Sequence, residues 1–471
     1  MARPSPLSGF PELLPAQRVV EQQVVDSLRR TFELHGFAGI ETRAVEPMDQ
    51  LLRKGETSKE VYVLRRLQEA EEGTGSGAGS GVGLGLHFDL TVPFARYVLE
   101  NAGKLEFPFR RYQIQKVWRG ERPQEGRYRE FTQADIDVVG RDTLPFHHDV
   151  EVARVMVDAL SRLDVLPPFR LQVNNRKLIQ GFYTALGAAD TAEVMRRVDK
   201  LDKLPPEEVH RLLVAETGLD EAQADRCLAL AGIRSNDDSF VEQVHALGLE
   251  HPLLTEGLDE LAALVRACAP LAGDRVAIEA DLSIARGLDY YTGTVFETRL
   301  QGHESLGSIC SGGRYDALAT DGRTTYPGVG ISFGLSRVLV PLLARGDLAA
   351  DRSVPSAVLV ALADEDARPA ADEVADRLRA RDIPTEVAAS PQRFGKQIRY
   401  AERRGIPYVW FPGPDGTHEV KDIRSGSQVG ADPGSWTPPV EDLHPRVVPT
   451  VPAPAPEAAP LTTAPTPEEH P

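Results

Sequence analysis

Hydrophobic and polar residues alternate with two different periods along the chain, and the period predicts the type of each element. Apolar residues recur at helical spacing from Ala16 to Gly36, and Phe37 to Val45 is predicted to be a strand that ends at a proline turn. Alternation with a period of two predicts strands at Leu86 to Arg96, Arg111 to Trp118 and Tyr128 to Val139. The last two flank a short polar turn, which predicts an antiparallel hairpin.

The second half of the chain mixes the two periods. Helical spacing predominates over residues 174–272, which predicts an inserted helical module. Residues 276–300 resume strand character, and Pro327 to Arg337 is predicted to be a strand that leads into a helix. Short apolar strands then alternate with helices over residues 355–435, as expected for a small α/β unit.

Two segments lack either period. Residues 73–85 carry glycine at every second position without a GxxxxGK[ST] pattern, so a flexible connection or hairpin tip is predicted rather than a phosphate loop. Eight of the last 23 residues are proline, and we expect 446–471 to be a disordered tail.

Composition narrows the class of protein. At 471 residues, the chain is expected to form two to four domains. Its start contains no signal peptide and no stretch has the length of a membrane span, which predicts a cytoplasmic protein. Three widely separated cysteines indicate neither a disulfide framework nor a zinc site. The net charge of −17 restricts contact with a polyanion to a local basic region.

Candidate chemistry is densest from Arg286 to Glu297. An arginine fork suits a carboxylate or a phosphate. Tyr290 and Tyr291, if they lie on a strand, would point to opposite faces, so that one could line a pocket while the other supports it. A surface hairpin with a satisfied salt bridge is the structural alternative.

The predicted hairpin forms a second dense region, with Arg119 and Arg127 at its shoulders. Strand alternation places four side chains of its return strand on one face: Phe131, Gln133, Asp135 and Asp137. A flat ring beside an arginine fork suits a nucleotide, with the base on the ring and a phosphate in the fork. The alternative is a charged, exposed hairpin.

Three further groups of residues could bind a ligand or a phosphate. Strand alternation puts Asp89 and Thr91 on one face, where they could hold an ammonium group or simply be solvated. Arg337 follows a glycine-spaced strand, which could receive a flat ligand or pack closely against the helix. The terminal unit has a basic strip suited to phosphate contacts, or to a solvated helix face, formed by Arg393, Lys396, Arg399, Arg403 and Arg404.

In this order the motifs resemble the histidyl-tRNA synthetase family over roughly residues 8–435. The resemblance rests on Leu-Thr-Val-Pro-Phe at 90–94, Trp-Arg-Gly-Glu-Arg-Pro and Gly-Arg-Tyr-Arg-Glu-Phe within 118–131, Arg-Gly-Leu-Asp-Tyr-Tyr-Thr-Gly at 286–293 and Gly-Gly-Arg-Tyr-Asp at 312–316. It implies an α+β fold: a class II antiparallel-sheet catalytic domain over 1–350, with a helical insertion at about 174–272, and an anticodon-binding α/β domain over 355–435. It also implies a homodimer, whose interface is built by the first long helix and the strand after it.

The family's reaction joins L-histidine to ATP, forming histidyl-adenylate and diphosphate, and then passes the histidyl group to the 3′ end of tRNA(His). The resemblance implies Arg286, Arg119 and Gln133 as catalytic residues and Mg²⁺ on the diphosphate oxygens, with ligands that the sequence does not identify. The implied histidine-binding residues are Asp89, Thr91, Gln133, Asp137, Arg286, Tyr290 and Tyr291. The implied ATP-binding residues are Arg119, Arg127, Phe131 and Arg337. The implied tRNA contacts are Arg393, Lys396, Arg399 and Arg403.

Two departures from the family and two alternative functions accompany this interpretation. Aspartate stands at 89 and 137, where some members have glutamate, which keeps the charge and shortens the reach.

One alternative is a paralogue that binds histidine and regulates ATP phosphoribosyltransferase. The presence of all three arginines, Arg119, Arg286 and Arg337, and of the C-terminal unit favours the enzyme. The other alternative, a sensor of uncharged tRNA, normally accompanies a kinase, and no kinase motif is visible.

Overall fold

The computed structural model describes residues 5–52, 60–65, 83–284, 290–413 and 416–449. Arg286, most of the glycine-rich stretch and nearly all of the proline-rich tail lie outside the described residues. Contacts divide the chain into two compact units, one formed by Met1–Leu14 with Glu21–Pro341 and the other by Pro15–Val20 with Leu342–Pro471.

The first unit is built on a nine-stranded sheet with the strand order β1-β5-β6-β12-β11-β10-β7-β9-β8. Neighbouring strands are antiparallel except for the pairs β1–β5 and β7–β9. A separate sheet has the order β2-β4-β3. The strands are β1 (Ala38–Gly39), β2 (Val45–Pro47), β3 (Val63–Leu64), β4 (Leu84–Leu86), β5 (Phe109–Trp118), β6 (Glu130–Val139), β7 (Phe169–Asn175), β8 (Arg234–Ser235), β9 (Val276–Asp281), β10 (Thr294–Leu300), β11 (Cys310–Thr320) and β12 (Thr325–Gly334).

The helices up to residue 345 lie before, between and after these strands. They are α1 (Pro15–Leu34), α2 (Met48–Leu51), α3 (Thr91–Asn101), α4 (His147–Ser161), α5 (Arg176–Ala185), α6 (Thr191–Val198), α7 (Pro206–Thr217), α8 (Glu221–Ala231), α9 (Phe240–Ala246), α10 (Pro252–Cys268) and α11 (Leu335–Arg345). Residues 174–272, for which a helical module is predicted, contain helices α5 to α10 and the two-residue strand β8.

Two glycines let helices α5 and α10 approach each other at backbone distance. A Cβ atom on Gly181 would lie 2.2 Å from the backbone nitrogen of Leu254, and a Cβ on Gly257 would lie 2.2 Å from that of Leu178. Any larger side chain at these positions must push the helices apart. Each of the two helices therefore contributes one glycine to the close contact between α5 and α10.

Strand alternation gives the central sheet two chemically different faces. Ala134, Ile136 and Val138 of β6 are buried, as expected for the face that packs on the core. The opposite face of β6 carries Gln133 and Asp137, beside the glycines and serine of β12. Polar side chains are thus gathered on the face that the glycines leave open.

The prediction of a strand over Leu86 to Arg96 is wrong. Only β4 reaches residue 86, and helix α3 begins at Thr91. The Asp89 carboxylate accepts a hydrogen bond from the Val92 backbone N–H at 3.1 Å, which satisfies one of the free donors of the first helical turn. The alternation of apolar and polar residues predicted a strand here, but the start of helix α3 decides the structure.

The second unit contains the predicted α/β arrangement. Its five-stranded sheet has the order β15-β14-β16-β17-β18, and β13 pairs with β19. Strand β14 is flanked by parallel strands and is fully buried, which explains its continuous apolar sequence. The elements are β13 (Leu348–Ala350), β14 (Val358–Val360), α12 (Arg368–Arg379), β15 (Thr385–Val387), α13 (Phe394–Arg404), β16 (Tyr408–Pro412), β17 (His418–Asp422), β18 (Gln428–Gly430), α14 (Val440–Leu443) and β19 (Val447–Pro449).

Candidate active site

Two adjoining cavities lie on the polar face of the central sheet, with volumes of about 550 and 490 Å³. Both are lined by Arg119 and Gln133, together with Ser311 and Ser332. A ligand in one cavity therefore meets a ligand in the other at these side chains.

The first cavity contains all four residues that the sequence assigns to ATP: Arg119, Arg127, Phe131 and Arg337. The Arg119 guanidinium lies 5.2 Å from the centre of the Phe131 ring. Its Nε donates to the Phe88 carbonyl at 3.0 Å, which fixes the direction of the fork. This arrangement of a ring beside an oriented cation matches the one inferred for a nucleotide.

Arg337 also lines the first cavity, and its direction is fixed by a hydrogen bond. It lies in the first turn of α11, and its Nε donates to the Gly126 carbonyl at 3.1 Å. Arg127 lies on the turn between β5 and β6, with an amino nitrogen 3.7 Å from a Glu121 oxygen. The cavity is thus lined by three arginines, which suit a polyphosphate.

The second cavity contains every described residue that the sequence assigns to histidine: Asp89, Thr91, Gln133, Asp137, Tyr290 and Tyr291. Asp89 and Thr91 reach it from the start of α3 rather than from one face of a strand. Gln133 and Asp137 reach it from β6, as alternation predicted. Arg286, the remaining assigned residue, lies outside the described residues.

The prediction that two neighbouring tyrosines on a strand would face opposite sides is wrong. Strand β10 begins only at Thr294, and both Tyr290 and Tyr291 line the cavity, with ring centres 4.3 Å apart. Burial holds the pKa of Tyr291 well above its ordinary value, so this hydroxyl keeps its proton as a donor.

Asp137 is held on both carboxylate oxygens by residues that the sequence did not single out. Its Oδ1 accepts a hydrogen bond from the Tyr315 hydroxyl at 2.8 Å, and its Oδ2 lies 2.6 Å from an amino nitrogen of Arg111. Arg111 is fully buried, with its guanidinium 4.3 Å from the Phe94 ring centre. Tyr315 belongs to the Gly-Gly-Arg-Tyr-Asp motif, and Arg111 lies opposite Asp137 in the hairpin register, so both could have been found from the sequence pattern.

Gly330 leaves the space that the Asp137 side chain occupies. A Cβ atom at this position would lie 2.1 Å from Asp137 Oδ1 and 2.6 Å from the Ile136 carbonyl oxygen. Because one of these atoms is backbone, the contact cannot be relieved by a rotamer change alone.

Gly330→Ala is therefore expected to displace Asp137, raise the histidine KM at least about tenfold and lower the free energy of unfolding by about 1–3 kcal/mol. Steady-state kinetics and urea denaturation measure the two effects. Gly273→Ala is the control, because a Cβ there meets nothing within 4 Å. Equal kinetics for the two variants would contradict this role of Gly330.

Three of the four assigned tRNA contacts lie on one helix of the second unit. Lys396, Arg399 and Arg403 share one face of α13 and line a cavity of about 1090 Å³, together with Tyr400. Arg393 is the residue before the helix and is exposed, but it does not line this cavity. The structure brings three of the four predicted cations together.

The described residues contain neither a membrane-spanning helix nor a disulfide. Within the described ranges, no helix is long and apolar enough to cross a bilayer. Cys227, Cys268 and Cys310 are buried and unpaired, in agreement with the sequence.

The antiparallel sheet, the arginine-flanked hairpin and the glycine-rich strand before α11 together define the catalytic domain of a class II aminoacyl-tRNA synthetase. Comparison with known proteins identifies the family. The family model for histidyl-tRNA synthetase matches residues 9–338, and that for the anticodon-binding domain matches residues 356–435. The chain belongs to the histidyl-tRNA synthetase family.

Individual relatives agree over nearly the whole length. The chain is 60% identical to the histidine–tRNA ligase of Cutibacterium acnes, over 96% of this chain and 100% of that protein. It is 61% identical to the histidine–tRNA ligase of Micrococcus luteus, over 95% and 99%. The crystal structure of histidyl-tRNA synthetase from Nostoc sp. superposes with a TM-score of 0.80 at 33% identity, covering 92% and 97% of the two chains.

Proposed function

We propose that this protein is a histidine–tRNA ligase that activates L-histidine with ATP and transfers it to the 3′ end of tRNA(His), releasing AMP and diphosphate. The observation that carries the proposal is the pair of cavities that share Arg119 and Gln133. Attack of a carboxylate on the α-phosphate requires the two substrates to be adjacent and their charges neutralised, rather than a covalent enzyme intermediate.

The ATP cavity supplies positioning and charge. Phe131 stacks on adenine, Arg119 binds the α-phosphate, and Arg337 and Arg127 bind the terminal phosphates. The fixed directions of the Arg119 and Arg337 side chains support these roles, since oriented donors lose little entropy when the phosphate binds. Mg²⁺ would neutralise the diphosphate oxygens, and Glu121 lines the cavity with carboxylate oxygens of the kind that this ion prefers.

The histidine cavity binds both the backbone groups and the imidazole ring of the amino acid. Asp89, Thr91 and Gln133 hold the ammonium and carboxylate groups, and Tyr290 packs beside Tyr291. Asp137 accepts from one imidazole nitrogen, and the Tyr291 hydroxyl donates to the other, so an isosteric ring without this donor and acceptor pair is rejected. Arg286, assigned from its motif alone, would bridge the attacking carboxylate and the α-phosphate.

We further propose that residues 1–350 form the catalytic domain and that residues 355–435 bind the anticodon region of tRNA(His). The active form is a homodimer joined through α1 and the strands that follow it, which sedimentation velocity would show as a single species of twice the chain mass. Because aminoacylation supplies the ribosome, the site of action is the cytoplasm.

Histidine-dependent exchange of labelled diphosphate into ATP tests the central proposal. Exchange that requires both histidine and folded protein is expected, since the reverse of adenylate formation regenerates labelled ATP. Absence of exchange in a preparation that still binds histidine would favour the regulatory alternative instead.

The basic face of α13 gives a separate prediction for tRNA. Arg399→Glu with Arg403→Glu is expected to weaken tRNA(His) binding at least about tenfold, because two phosphate-attracting charges become repulsive. Diphosphate exchange should remain unchanged. Arg377→Glu on α12 is the matched control, and tRNA affinity reduced equally by both substitutions would argue against a specific contact.

A further inference from the structure

One carboxylate of the histidine cavity has no part in the roles assigned above. Asp135 lies on β6 two residues before Asp137, and both line this cavity. Its side chain is buried, with 3% exposure. A buried carboxylate beside another one must either share a cation or carry a proton.

Among the described residues, the ion-pair partner of Asp135 is Arg111, which lies closer to Asp137. The Arg111 amino nitrogen lies 2.6 Å from Asp137 Oδ2 but 4.0 Å from Asp135 Oδ2. Asp135 instead receives a hydrogen bond from the Ser332 hydroxyl, which in turn accepts from Gln133 Nε2 at 2.8 Å. Asp135 is thereby connected to the end of the cavity assigned to the α-amino and carboxylate groups.

Two residues paired across the hairpin each have a side-chain oxygen that lacks a donor. Asp135 Oδ1 and Gln113 Oε1 are buried, and neither has a hydrogen-bond partner in the described part of the chain. Gln113 lies directly opposite Asp135 in the β5–β6 register, where Cβ atoms are about 4.5–5.5 Å apart and side chains are within reach. The Gln113 amide cannot simply turn round, because its Nε2 donates to Thr42 and Gln115. A proton on Asp135 Oδ1 would satisfy both oxygens at once.

Burial of Asp135 favours the protonated acid. Burial raises the pKa of Asp135 to about 7, and Asp137 and Asp89 act in the same direction, while Arg111 and the hydrogen bond from Ser332 oppose them. The Cys310 thiol of β11 is neutral, because burial raises its pKa. The other ionisable groups that line the cavity are Arg119, Tyr290, Tyr291 and Tyr315.

We propose that Asp135 is a positioning residue that acts as a carboxylic acid, donating its proton to Gln113 and so leaving Arg111 to hold Asp137 against the imidazole ring. When Asp135 ionises, a second anion competes for Arg111, and Asp137 loses the orientation in which it accepts the ring N–H. Histidine binding therefore weakens as the pH rises, while the phosphate contacts are unaffected. The inference rests on the proposed function, because it concerns the histidine pocket of that reaction.

Asp135→Asn tests the role, because an amide is uncharged, has the same shape and offers a donor to Gln113 at every pH. Histidine KM and kcat would be measured by diphosphate exchange from about pH 6 to about pH 9. For the wild type, KM should rise above about pH 7, by up to about tenfold per pH unit, with little change in kcat. For Asp135→Asn, KM should stay near the wild-type value at pH 6 across the range.

Free histidine and ATP also titrate in this pH range, and they do so equally with every variant. The informative quantity is therefore the difference between the KM–pH profiles of the wild type and of each variant. Asp274→Asn, at an exposed position, should follow the wild type. Two results would overturn the proposal: an unchanged wild-type profile in Asp135→Asn, or a KM at pH 6 raised tenfold or more, since the amide should replace the acid at that pH.

Infrared difference spectra give a measurement that does not depend on catalysis. The wild type at pH 6 should show the carbonyl band of a protonated carboxylic acid, which disappears at high pH and is missing from Asp135→Asn. A wild-type protein without this band refutes the proposal even if exchange is normal. Conversely, the band with no exchange at any pH would refute the proposed function and leave the protonation of Asp135 standing.

Discussion

Replacing Arg119 by alanine is expected to slow histidyl-adenylate formation by at least about a thousandfold, which would be the largest effect of any single described residue. The guanidinium lines both cavities, and its direction is fixed by the Phe88 carbonyl. Charge develops on the α-phosphate as the carboxylate attacks, and a preorganised cation is worth about 10³- to 10⁵-fold in phosphoryl transfer. Pre-steady-state measurement of ATP consumption in the presence of histidine isolates this step.

A matched control for this prediction lies in the same turn. Arg122 is exposed and does not line either cavity, so Arg122→Ala should leave adenylate formation within about twofold of the wild type. If Arg119→Ala changes only the KM for ATP and leaves kcat intact, the residue contributes uniform binding rather than transition-state stabilisation.

Asp137→Asn is expected to have the second-largest effect, through both recognition and stability. The amide retains an oxygen for the Tyr315 hydroxyl but removes the anion that faces the fully buried Arg111. Breaking a buried ion pair by removing one partner costs about 3–5 kcal/mol, because the remaining charge is uncompensated. The histidine KM should also rise at least about a hundredfold, since the imidazole N–H loses a charged acceptor.

A second variant separates recognition from stability at this position. Tyr315→Phe removes one hydroxyl and leaves the ion pair between Asp137 and Arg111 in place. It should raise the histidine KM about tenfold and lower the free energy of unfolding by only about 1–2 kcal/mol. Unfolding curves of Asp137→Asn that coincide with the wild type would show that Arg111 does not depend on this carboxylate.

The hairpin shows why much of the site could be predicted. Side chains of a strand alternate strictly, so Phe131, Gln133 and Asp137 had to share a face once β6 was assigned. The polar turn then placed Arg119 beside them, and the register of a hairpin leaves little freedom. For this local reason, the residues predicted to bind ATP all line one cavity.

Predictions failed where a tertiary contact replaced a local rule. Alternation over Leu86 to Arg96 predicted a strand, but Asp89 caps a helix there, and its carboxylate nevertheless lines the histidine cavity. Tyr290 and Tyr291 both face the cavity because they precede β10 rather than lie on it. In both cases the residues line the cavity, but strand alternation is not the reason for their placement.

The sequence by itself determined the order of most elements, the family and a set of charged and aromatic residues that line the two cavities, because these depend on short motifs and on the fixed period of strands and helices. Only the tertiary structure decided what each carboxylate is paired with. Arg111 lies closer to Asp137 than to Asp135, and Gln113, opposite Asp135 in the register, has a buried oxygen without a donor. The charge of a buried carboxyl is set by such neighbours and by the loss of water around it, neither of which is a property of its position in the chain.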